Sequence, residues 1–64
     1  MIIRKTNGHY SIERGSLLYR LDTLPELAET LSYMKTNMAR VLYSMPQAEV
    51  QELLRLYTEY SNAP

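Results

Sequence analysis

The sequence predicts an α+β domain: a three-stranded antiparallel β-meander over about residues 2–21, followed by an antiparallel two-helix hairpin over about 24–44 and 46–60. Three observations carry that expectation. Two hairpin-turn dipeptides, Asn7-Gly8 and Gly15-Ser16, punctuate a stretch of alternating apolar and polar residues. Beyond them, Leu24, Leu27, Leu31, Met34, Met38, Val41 and Met45 recur at alternating steps of three and four, the a/d seam of a helix. Ser44-Met45-Pro46-Gln47 then breaks the pattern before a second apolar stripe.

The first hairpin rests on Asn7-Gly8, which accepts the positive φ that both central positions of a type I′ turn require. A two-residue loop there sets Thr6 opposite His9, Lys5 opposite Tyr10, Arg4 opposite Ser11 and Ile3 opposite Ile12. Gly15-Ser16 suits a type II′ turn and pairs Arg14 with Leu17, Ile12 with Tyr19 and Tyr10 with Leu21. Because side chains alternate, Ile3, Tyr10, Ile12, Leu17, Tyr19 and Leu21 then share one apolar face. Two independent turns agree on that face, which is better support than either alone.

Asp22-Thr23-Leu24-Pro25-Glu26 opens the helical part: Asp22 or Thr23 can cap, proline is harmless in a first turn, and Glu26 suits the helix dipole. No glycine or proline stops the helix before residue 44, so it runs to about 31 Å at 1.5 Å per residue. Ser44 with Gln47 resembles a capping box for the second helix. Val50, Leu53, Leu54, Tyr57 and Tyr60 make its apolar stripe, Leu56 lies outside the stripe, and residues 61–64 fray.

A 64-residue chain is one small domain that buries only roughly 60% of its unfolded surface. Small domains gain stability from disulfides, metals or partners. Cysteine is absent and histidine occurs once, which leaves self-association. The second helix is too short to cover the first, so a homodimer is expected through the methionine-containing seam. Leu31, Tyr33, Met34, Met38, Val41, Met45 and Tyr60 are the candidate dimer or partner interface. All six aromatics are tyrosines, suited to half-buried positions.

Net charge is zero but unevenly placed, at plus three over residues 1–21 and minus three over 22–64. An alternative reading follows, a dimeric nucleic-acid-binding regulator whose basic β-ribbon uses Arg4, Lys5, Arg14 and Arg20. It is not favoured, because Lys5 and Arg14 fall on the core face and the helical half is acidic.

Catalysis needs several polar groups converging in a pocket. His9 follows a turn with only Ser11 near it, Glu26/Glu29 and Glu49/Glu52 have the spacing of solvated helix faces, and both glycines sit at turns rather than in a phosphate loop. The expectation is a non-enzymatic protein-interaction or regulatory protein with no cofactor and no metal. Met1-Ile2-Ile3 is followed by Arg4-Lys5, too short an apolar run for a signal peptide or membrane span, so a cytoplasmic protein is expected with an unidentified protein partner and no membrane association.

Overall fold

Positive φ at Asn7 (51°) and Gly8 (81°) forms the first turn, and Gly15 at φ 59° forms the second. These turns join β1 (Ile2–Thr6), β2 (His9–Arg14) and β3 (Leu17–Leu21) in the computed structural model, which describes residues 1–62. The register is the one that the turn dipeptides imply, with Ile3 opposite Ile12 and Ile12 opposite Tyr19. Then come α1 (Leu24–Tyr33), a short 3-10 turn (Met38–Arg40), β4 (Leu42–Ser44) and α2 (Gln47–Ser61). The α+β class therefore holds, with a sheet of four strands in the order β3-β2-β1-β4. β4 lies parallel to β1, setting Ile2 beside Leu42 and Ile3 beside Tyr43.

The first helix ends at Tyr33 rather than near residue 44. Thr23 caps its start by accepting from Glu26 N (3.3 Å), and its hydroxyl donates to the Glu26 carboxylate (3.1 Å). At the other end Lys35 adopts φ 52°, and two bonds close the helix: Lys35 N to Ser32 O (3.1 Å) and Thr36 N to Leu31 O (3.2 Å). This is a Schellman termination with lysine in the place that glycine usually takes. Asn37 helps to prevent continuation, since its side-chain oxygen accepts from Ala39 N (3.1 Å) and starts the 3-10 turn instead. Residues 42–44 then gain a ladder partner in β1, which an extended helix would have left unpaired.

The hairpin of helices is corrected as well. Residues 34–46 separate α1 from α2, and Ser61 Oγ lies 3.5 Å from Ser32 Oγ, so the carboxyl ends of the two helices meet. An antiparallel pair would bring the end of one helix to the start of the other. Ser44 belongs to β4 and makes no capping box. The N-cap of α2 is Pro46, without a side-chain bond, and its carbonyl accepts from Glu49 N and Val50 N. On α2 the buried face is Val50 and Leu53 with Leu56 and Tyr57 half-buried, while Leu54 is exposed, which reverses the expected roles of Leu54 and Leu56. Ser61 is helical rather than frayed and Asn62 is the C-cap; residues 63 and 64 lie outside the described residues.

Ile3 and Ile12 from the sheet, Leu27, Ala28 and Leu31 from α1, and Leu53 from α2 are all fully buried in one core. Tyr10 and Val41 complete it, with Met34, Met38 and Met45 packed against its margin. The apolar series 24–45 thus packs on or against the core as its period suggests, but α1, the 3-10 turn and the residues that flank β4 deliver it. Two phenols fasten the intervening loop: Tyr57 donates to Thr36 O (2.8 Å) and Tyr43 to Met38 O (3.2 Å).

Candidate functional site

β3 alternates its side chains between the helix side (Leu17, Tyr19, Leu21) and the open side (Leu18, Arg20) of the sheet. α1 reaches only the Leu21 end of β3. Leu17, Leu18 and Tyr19 stand 54%, 68% and 39% exposed, and only Leu21 is half-buried. β3 is also an edge strand, so one row of its backbone groups has no ladder partner. The Arg14–Leu17 pair closes a two-residue turn, which directs the backbone of Leu17, Tyr19 and Leu21 toward β2 and that of Leu18 and Arg20 toward the free edge. The opposite edge, β4, has three residues and is followed two residues later by Pro46, a blunt end by comparison.

The expected interface residues disperse. Leu31 is fully buried and Val41 is buried within the chain's own core, and Met34, Met38 and Met45 are half-buried against it. Tyr33, 80% exposed, and Tyr60 remain at the surface on different helices. With ten residues in α1 and fifteen in α2, the length mismatch is reversed, and a second helix too short to cover the first no longer argues for a dimer along the seam. The sequence places Leu17 and Tyr19 of β3 on the core face, but the structure leaves both exposed.

Of the four ribbon cations, Arg4 and Arg20 do share the open face, in a row with Ser11 between them. Each has an acid beside it, Glu13 at 3.5 Å from Arg4 and Asp22 at 3.7 Å from Arg20. Lys5 lies on the helix side, 5.7 Å from the Tyr10 ring centroid and 2.9 Å from the Glu49 carboxylate, and Arg14 ends β2 on that same side. Comparison with known proteins adds no assignment. No protein-family model, curated protein or solved structure matches this chain. Among the described residues no three metal-ligating side chains cluster, and no helix is long and apolar enough to cross a membrane.

The strongest electrostatic perturbation joins the sheet to α2, where the Glu49 carboxylate accepts from Tyr10 Oη and from Lys5 Nζ. Burial, and then the neighbouring carboxylate, push the Tyr10 phenol up to about 12 from 10.0, while the same two donors hold Glu49 below its ordinary 4.5. The signs are opposite. The Tyr10 contribution is whole below pH 10 and lost as pH rises through about 12; the Glu49 contribution is whole above its ordinary value and lost as pH falls through the lowered one. An NMR titration of the Tyr10 ring carbon should therefore ionise late, and Glu49→Gln should bring it earlier. Ionisation of Tyr10 at its ordinary pH in the wild type would contradict the contact.

Proposed function

We propose that the protein is a non-enzymatic interaction or regulatory protein that works as a homodimer, with β3 as the joining edge. One observation carries this reading: three consecutive large apolar residues, Leu17, Leu18 and Tyr19, exposed on a five-residue edge strand that contains neither proline nor lysine. In this reading two β3 strands pair antiparallel about Tyr19. Leu18 and the partner's Arg20 exchange the open backbone bonds, Leu17 meets the partner's Leu21, and the two Tyr19 rings face each other across a non-hydrogen-bonded pair. Pairing about Arg20 instead would oppose like charges and is disfavoured. The resulting eight-stranded sheet leaves both helical layers on one side for a protein partner.

The nucleic-acid reading has less support, since Arg4 and Arg20 are partly neutralised by Glu13 and Asp22. Sedimentation equilibrium over a concentration series tests both readings. The wild type is expected at dimer mass, and Leu18→Lys at monomer mass with an unchanged circular dichroism spectrum, because the replaced side chain is already exposed. A monomeric wild type, or a dimeric Leu18→Lys protein, rejects the β3 interface. A gain of mass on added duplex DNA that Arg4→Glu with Arg20→Glu removes would favour the ribbon.

A further inference from the structure

Four of the seven lysines and arginines have a carboxylate at ion-pair distance: Arg4, Lys5, Arg20 and Arg55. The other three, Arg14, Lys35 and Arg40, have none among the described residues, and all three line one cavity of about 230 Å³. It lies where the last residue of β2 meets the loop that follows α1. Among the described residues no carboxylate lines it. All three side chains are exposed, and like charges gathered along one concavity repel unless an anion offsets them.

Two further features belong to the same wall. Lys35 holds its left-handed φ of 52° at a helix-terminating position where glycine carries no strain, so the chain keeps a cation there against its conformational preference. Thr36 has a buried hydroxyl without a hydrogen-bond partner, which is rare in folded proteins. Both sit in the loop whose backbone Tyr57 and Tyr43 fasten, so this stretch of the wall is in place before any ligand arrives.

We propose that this cavity binds a small phosphomonoester, its phosphate held by Arg14, Lys35 and Arg40 and its carbon body against Met34 and Val41. A phosphate offers two charges and several acceptor oxygens to the guanidinium and ammonium donors along one cavity, where a carboxylate balances only one charge. The cavity is smaller than the ~300–1,000 Å³ typical of sites for drug-sized ligands, which favours a body of a few carbons over a nucleotide. The site is contained in one chain, so it stands or falls separately from the β3 interface.

Amide chemical-shift titrations at ~0.15 M NaCl, with inorganic phosphate, phenyl phosphate and a short DNA duplex as probes, test the proposal. Saturable shifts are expected at residues 35–40 and Arg14, stronger for phenyl phosphate than for inorganic phosphate. Arg40→Gln should weaken binding about tenfold. Lys35→Gly should weaken it while raising the melting temperature, because it removes backbone strain together with the charge; loss of binding in a more stable protein excludes unfolding as the cause. Arg20→Gln, on the open face, should bind as the wild type does. The proposal is overturned by shifts that fail to saturate at millimolar phosphate, by equal weakening from Arg20→Gln, or by wild-type affinity in Lys35→Gly. DNA binding tighter than that of phenyl phosphate, lost in the same cavity variants, would replace the small ligand with a nucleic-acid backbone.

Discussion

Ile12→Ala is expected to leave the chain largely unfolded at 37 °C. Ile12 is fully buried at the centre of β2, between β1 and β3, where it touches the layer formed by α1 and α2. Deleting a buried isoleucine to alanine costs about 2–5 kcal/mol, the spread reflecting how far the site collapses around the void. A core in a domain of this size rarely supplies more than about 3–5 kcal/mol in total. The substitution therefore removes most or all of the margin, and a thermal melt followed by circular dichroism should show no cooperative transition above room temperature. A melt displaced by only a few degrees would mean that an association not present in the single chain supplies the missing stability.

Ala28→Leu tests the opposite failing. Ala28 is fully buried on α1 within the core, so a single methyl group fills its place there. Three extra carbons have no space without displacing the helix, and overpacking of this kind costs about 1–3 kcal/mol. The denaturant midpoint should fall with an unchanged slope, since the surface exposed on unfolding is nearly the same. An unchanged midpoint would show that α1 is loosely seated, and would weaken the case for a preformed loop after it.

The parts of the fold that were legible in the sequence are those decided by neighbouring residues. Asn7-Gly8 and Gly15 dictate their turns through φ, the turns dictate register, and register assigns every side chain of the meander to its face. Thr23 and Pro25 likewise mark the start of α1 locally. Residues 34–45 could not be read that way. Their three-four spacing fits a helix as well as it fits a turn followed by a strand, and the outcome is set by the free edge of β1, forty residues away in the chain. Lys35 gave no warning either, because lysine is an ordinary helix former and its left-handed conformation follows from the bonds that Ser32 and Leu31 accept.

The candidate sites divide along the same line. The register places Tyr19 and Arg20 on their faces, but whether helices cover β3 depends on the end of α1, which the structure sets eleven residues earlier than the apolar spacing implies. Arg14 belongs to the basic first third of the chain, while Lys35 and Arg40 fall in its acidic remainder. Which cations lack an acid is a property of tertiary neighbours, and no spacing rule reveals it.

The parallel pairing of β1 with β4 bears on the order in which the molecule assembles. β1 is an interior strand of the finished sheet, yet one of its neighbours follows it after a two-residue turn and the other is separated from it by thirty-five residues. The meander can close over microsecond hairpin steps, whereas β4 must wait until α1 has formed or at least crossed the sheet. During synthesis the outer edge of β1 therefore emerges early and stays unpaired until the final third of the chain leaves the ribosome. For that interval the nascent protein carries two open edges, β1 and β3, and the arrival of residues 42–44 extinguishes one of them.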